Sequence, residues 1–214
     1  MAMSTNGFPA DFFERQDMSD DSFFYSSPRK VVHIDANAIS ALKDVYLGLL
    51  PVGGTYLDLM SSWRSHYPPE LKPSRVVGLG MNTDEMRDND QLDKYVVHNL
   101  NQNPTLPYES NLFDAVTCTV SVQYLTDPVS VFAEVNRVLK PGGVFIVSFS
   151  NRCFPNKAVA IWLTSSDEQH IALVGQYFQL SAKWTDLTAQ KTNPAEGYPP
   201  QANPLYVVWA RKAA

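Results

Sequence analysis

The sequence predicts an α/β domain with a doubly wound, mostly parallel sheet of seven strands whose last strand runs antiparallel. Three observations carry this. Short apolar runs, several rich in β-branched residues, alternate with helical or irregular crossovers, the pattern of strands buried on both faces. One crossover helix carries its own punctuation, Asp127-Pro128 at its start and Pro141-Gly142-Gly143 at its end. The Pro/Gly-rich link from Pro194 to Pro204 holds no helical pattern, which suits an antiparallel pair at the sheet edge.

Taken in order, residues 1–30 form an arm without clear periodicity. Its aromatics, Phe12, Phe13, Phe23, Phe24 and Tyr25, are too many for a free tail, so the arm is expected to pack on residues 31–214. Ile34, Ala38, Leu42, Val45, Tyr46 and Leu49 then recur at helical spacing, with Asp35 as N-cap and Pro51 with Gly53-Gly54 as the stop. Thr55–Leu59 and Arg75–Gly80 read as the first two strands, separated by a polar, Pro-containing stretch. A short helix at most fits "TDEMRDND". Tyr95–Leu100 and Leu112–Val122 read as strands three and four. In the next helix Asp127 suits an N-cap and Pro128 the first helical position, with Val131, Phe132, Val135, Val138 and Leu139 as its apolar stripe. Val144–Ser150 reads as strand five, Ala158–Tyr177 as largely one helix, and Trp184–Thr192 and Leu205–Lys212 as the closing strands.

Composition limits the function. The chain has 214 residues, 44% hydrophobic and 18% charged, enough for one ordinary domain. A formal charge of -5 and a pI near 5.3, with no Lys/Arg cluster, argue against a nucleic-acid partner held by charge. No apolar run spans a bilayer and no secretory or transit pattern opens the chain, so a soluble intracellular protein of cytoplasm or plastid is expected. Cys118 and Cys153 lie in or beside apolar runs, as buried free thiols. His33, His66, His98 and His170 lack metal-ligand spacing.

The residues from Leu112 to Asn151 are the most specific. Phe113-Asp114-Ala115-Val116, then Glu134-Val135-Asn136-Arg137-Val138-Leu139-Lys140-Pro141-Gly142-Gly143, resemble the middle of class I S-adenosylmethionine-dependent methyltransferases, particularly the type 11 group. The chain also resembles methyltransferase-like proteins of photosynthetic organisms with no assigned reaction. The resemblance implies a Rossmann-like methyltransferase fold, S-adenosylmethionine as cofactor, and an acceptor, small molecule or protein, that the residues do not identify. Most of the block is scaffold and speaks for the fold before catalysis.

At the cofactor end the chain departs from the family pattern. The acid after the first strand is present as Asp58, but Leu59-Met60-Ser61-Ser62-Trp63-Arg64 follows, without the glycines that let backbone approach the cofactor. Pro68-Pro69 compromises the helix that normally follows. Gly80 stands where the family has a ribose-binding carboxylate, and Asn99 where it often has an adenine-binding Asp. The implied site therefore comprises Asp58, Met60, Ser61, Gly80, Met81, Asn82, Asn99, Leu100, Thr119, Val120 and Tyr124. Asn82 is a candidate for a ribose hydroxyl, and Gly80→Asp is expected to restore that contact. Methyl transfer requires alignment more than dedicated acid–base groups, so no catalytic base is assigned. Tyr124, His98 and Asp127 belong near the carboxyl end of the sheet, where ligands bind in open α/β folds, and Tyr124 is the strongest of the three. A weakened methyltransferase and a non-catalytic binding or assembly protein are the two readings. A nicotinamide-dependent dehydrogenase is disfavoured, because no Gly-x-Gly-x-x-Gly follows the first strand.

Overall fold

The computed structural model describes residues 7–192 and 201–214. Its seven strands are β1 (Thr55–Leu59), β2 (Arg75–Gly80), β3 (Lys94–Val97), β4 (Phe113–Thr119), β5 (Leu139–Phe149), β6 (Trp184–Thr192) and β7 (Leu205–Lys212). They hydrogen-bond in the order β3-β2-β1-β4-β5-β7-β6. Pairs among β1 to β5 are parallel, and β7 runs antiparallel between β5 and β6. The predicted doubly wound sheet with an antiparallel last strand is thus present. Residues 193–200 of the link before β7 lie outside the described residues.

The helices are α1 (Asp21–Phe24), α2 (Ala36–Leu49), α3 (Thr83–Arg87), α4 (Pro128–Val138), α5 (Ala160–Leu163) and α6 (Asp167–Ser181). Asp35 caps α2 by accepting from the Ala38 amide at 2.9 Å, and Asp127 caps α4 by accepting from the Ser130 amide at 3.2 Å. Strand alternation divides the core into two layers. Leu57, Leu59, Val116 and Phe145 face α4 and α6, whose Phe132, Val135, Tyr177 and Phe178 fill that side. Tyr56, Val76, Ala115 and Ile146 face α2, which supplies Ala38, Leu42 and Tyr46.

Four element boundaries differ from expectation. The third strand ends at Val97, opposite Gly80, where its only partner β2 ends. The fourth ends at Thr119, where Val120 turns to φ 47° and a 3-10 turn, Val122–Tyr124, follows. The fifth begins at Leu139, pairing with Phe113 before a bulge that carries Pro141-Gly142-Gly143. The single helix over 158–177 is two, because Ser166 opens α6 with a capping box closed by Gln169.

Between β1 and β2 there is no α-helix; the one helical element is a 3-10 turn, Pro69–Leu71. Tyr67 fills the space beneath instead. Its ring packs at 5.4 Å from both Tyr46 and Tyr56, and its hydroxyl shares a 2.6 Å hydrogen bond with Thr117. A buried side chain thus does part of the packing of a missing helix. The Phe-Asp and Glu-x-x-Arg residues are scaffold: Asp114 accepts from the Thr55 amide and Lys140, while Glu134 and Arg137 pin the 106–108 loop.

Candidate functional site

At the carboxyl ends of β1, β2 and β4 the chain encloses a cavity of about 550 Å³, within the range of small-molecule sites. β1 delivers Asp58, Met60 and Ser61, β2 delivers Gly80, Met81 and Asn82, the loop after β3 delivers Asn99 and Leu100, and β4 with its turn delivers Thr119, Val120 and Tyr124. The structure brings all eleven residues around this one space. Among residues named near it, His98 also lines the cavity, with its Nε2 against the Asn103 carbonyl at 2.8 Å. Asp127 does not; it caps α4. Cys118 is buried, but Cys153 is only half-buried and lines the cavity, which corrects its assignment as a core thiol.

Asp58 is buried at the end of β1. The Ser61 and Ser65 hydroxyls each donate to its Oδ2 at 2.6 Å. Burial pushes its carboxyl up to about 6, against those hydroxyls and Thr117, which favour the charged form. The loop keeps a glycine-like shape without glycine, since Met60 has φ 58°; Val120, at the end of β4, has φ 47°. Left-handed conformations at non-glycine residues carry strain, and strain of this kind gathers at ligand sites.

Gly80 is small for a local reason. Ser61 lies on it, its amide donating to the Leu79 carbonyl at 2.8 Å. A Cβ at position 80 would fall 2.2 Å from the Ser61 carbonyl oxygen. Gly80→Asp therefore has no room for its side chain and, contrary to the sequence expectation, would not restore a ribose contact. Asn82 is also engaged: its carbonyl accepts from the Glu85 amide at 3.0 Å and its amide donates to the Tyr25 carbonyl at 2.8 Å. The nearby carboxylate is Glu85 on α3, a residue the sequence pattern did not point to. It accepts from the Ser62 hydroxyl at 2.6 Å and the Arg29 amide at 2.5 Å.

These partners, Tyr25 and Arg29, belong to the N-terminal arm, which crosses the cavity and lines it with them, and the segment just after it adds His33 and Ile34. Trp63 donates its indole N–H to the Val31 carbonyl at 3.0 Å, so its bulk packs on the segment just after the arm. A buried ion cluster anchors the arm's other end. Arg15 donates to Asp21 at 2.8 Å, and Lys157, wholly buried, lies 3.1 Å from Asp21 and 3.0 Å from Asp17. Asn101 joins Asp21 to the Tyr124 carbonyl. Tyr124 accepts from the Phe154 amide at 2.9 Å, and the two rings stack at 6.0 Å. Burial pushes the Tyr124 phenol up to about 12. No motif in the sequence marks the arm residues or Phe154; the excess of aromatics in the arm was the one usable signal.

A seven-stranded sheet of this order, with a ligand-sized cavity at its carboxyl ends, defines a Rossmann-like fold of the methyltransferase kind. Residues 64–147 match the family model described as a methyltransferase domain. No curated protein matches the chain in sequence. Among solved structures, it is similar to the phosphoethanolamine N-methyltransferase 2 of Haemonchus contortus solved with S-adenosyl-L-methionine. There the identity is 14% and the TM-score 0.59, over 84% of this chain and 53% of that one. A SAM-dependent methyltransferase of Thermotoga maritima is 17% identical with a TM-score of 0.59, over 82% and 89% of the two chains. The [4+2]-cyclase SpnF is 13% identical with a TM-score of 0.57, over 81% of each. Likeness at this identity shows the fold, and the cyclase among the neighbours shows that the reaction has to be argued from the site. Among the described residues no helix is long and apolar enough to cross a membrane, and no cluster of three metal-ligating side chains occurs.

Proposed function

We propose that this chain is an S-adenosylmethionine-dependent methyltransferase acting on a small acceptor, with a cofactor site weaker than the family pattern. The carrying observation is the cavity at the ends of β1, β2 and β4, with Asp58 buried beside it. Asp58 and the Met60-Ser61 loop would face the cofactor's methionine part, Met81 and Asn82 its ribose, and Asn99 and Leu100 its adenine. The cofactor supplies an activated methyl group; the protein's work is to align an acceptor with it and keep water out. The arm serves that second task by spanning the cavity.

Weakness follows from commitments within the chain. Asn82 and both oxygens of Glu85 are already hydrogen-bonded, and Gly80 offers no side chain. A missing charge-assisted hydrogen bond is worth roughly 1.5–3 kcal/mol, so affinity about ten- to a hundredfold below an intact pocket is expected. The same commitments favour a second reading, a methyltransferase fold kept for binding or assembly, in which the arm permanently satisfies the strand-end polar groups. Calorimetry with S-adenosylmethionine and S-adenosylhomocysteine, with a nicotinamide cofactor as control, separates the two. Binding of the first pair alone supports the methyltransferase; none at millimolar ligand supports the binding module.

A further inference from the structure

Two groups on the cavity have no structural partner that explains them. His33 is half-buried just after the arm, and its ring meets Phe154 edge-on at 5.3 Å. Neither of its ring nitrogens has a hydrogen-bond partner among the described residues. Arg152, two residues before Phe154, is exposed, lines the same cavity and makes no ion pair or hydrogen bond among the described residues. The cavity's carboxylates are engaged elsewhere: Asp21 by Arg15, Lys157 and Asn101, Asp35 by the Ala38 and Asn203 amides, Asp58 by the Ser61 and Ser65 hydroxyls, Glu85 by Ser62 and the Arg29 amide. Phe154, part-exposed and backed by Tyr124, Phe24 and the Arg29 guanidinium, meets the His33 ring and lines the same cavity as Arg152. An unpaired guanidinium, an aromatic wall and an unpartnered imidazole make a recognition surface for one kind of molecule.

We propose that this part of the cavity is the acceptor subsite of the methyltransferase read above, on which the name acceptor rests, and that it takes a small aromatic acid bearing a hydroxyl. The ring lies against Phe154, the carboxylate pairs with Arg152, and the hydroxyl donates to His33. In the transfer an oxygen–methyl bond forms and the methyl–sulfur bond breaks, its electron pair staying on sulfur. The hydroxyl proton passes to the imidazole and then to water. Desolvation holds His33 below the ordinary histidine value, so the ring is neutral and free to accept. The charged groups facing it are Glu85 on α3, which favours its protonation, and Arg152 and Arg29, which oppose it.

The test titrates 4-hydroxybenzoate, benzoate and 4-hydroxybenzyl alcohol into the full chain, with and without S-adenosylhomocysteine, in the native protein, Arg152→Gln and His33→Gln. Arg152→Gln is expected to weaken the two carboxylates at least tenfold and to leave the alcohol unchanged. His33→Gln is expected to weaken the two hydroxyl compounds several-fold and to spare benzoate. Below the His33 pKa the native affinity for 4-hydroxybenzyl alcohol should fall, and in His33→Gln it should not. Absence of binding to the native chain, or equal affinities in all three proteins, overturns the proposal. So does a result in which Arg152→Gln weakens S-adenosylhomocysteine and spares the benzoates, since Arg152 would then hold the cofactor's own carboxylate. If the crossed pattern holds while S-adenosylhomocysteine fails to bind, the aromatic-acid site stands and the methyltransferase reading alone falls.

Discussion

Asp58 sets a pH dependence whose sign is fixed by its burial. Its carboxyl titrates near 6 in the folded chain against 3.8 for an ordinary Asp. Below about pH 4 the group is protonated in both states and contributes nothing. As pH rises from about 4 to 6 the unfolded chain releases its proton first, so stability falls, and above that range the cost levels off on the order of 3 kcal/mol. Asp58→Asn keeps an acceptor for Ser61 and Ser65 and removes the charge. Its urea-denaturation stability should lose this decline, leaving it more stable than the native chain at pH 7.5 by up to about that amount. An unchanged slope between about pH 4 and 6 would refute the assignment. The cofactor contact proposed for Asp58 would have to offset that cost. Gly80 is the second case at this scale. Gly80→Ala drives a methyl group into the Ser61 carbonyl and should destabilise by roughly 1–3 kcal/mol in the same assay. The sequence showed that an acid was absent at Gly80. It could not show why, because Ser61 reaches Gly80 only through the parallel pairing of β1 with β2.

Among the elements, the apolar runs of β1, β2 and β7 and the caps of α2 and α4 were legible because their causes are local. The strand-end residues of the cavity were legible for a related reason: a doubly wound sheet gathers the loops after its parallel strands at one edge. The break between α5 and α6 was also encoded, as Ser166 with Gln169, but a continuous apolar pattern hides such a signal. That the arm packs on the domain was legible from its aromatics, but its contacts were not, because they are fixed by partners far away in the chain. Lys157 is the clearest of these, wholly buried against Asp17, Asp21 and the Ser19 carbonyl. Removing one member of a buried ion pair leaves the other charge uncompensated, typically at about 3–5 kcal/mol. Arg15 still neutralises part of Asp21, so Lys157→Met should fall at the lower end, roughly 3 kcal/mol by chemical denaturation. Amide exchange should accelerate in residues 14–27 well before it does in β4 and β5. Equal protection of arm and sheet in the variant would show that the clasp does not hold the arm.

For the whole molecule, the arm and the sheet ends form one ligand-linked unit, and that gives a measurable consequence. Residues before Pro28 bury Phe8 and Phe13 against Tyr177 and place Tyr25 on Asn82. Each buried Phe is worth roughly 1.5–3 kcal/mol, so deleting residues 1–27 should lower the melting temperature. In a chain of this length each 1 kcal/mol corresponds to about 2–4 °C. A ligand that binds only the folded chain adds RT ln(1 + [L]/Kd), about 1.4 kcal/mol at ten times Kd, or roughly 3–6 °C. S-adenosylhomocysteine at that concentration should raise the melting temperature of the full chain by this amount and slow exchange in residues 20–33. Because Asn82 exchanges the Tyr25 carbonyl for solvent in the truncated chain, two outcomes divide the readings proposed above. If the arm completes the cofactor pocket, truncation removes the thermal shift. If the arm occupies the polar groups that the cofactor would use, truncation frees them, and the shift per millimolar ligand grows even though the protein itself is less stable.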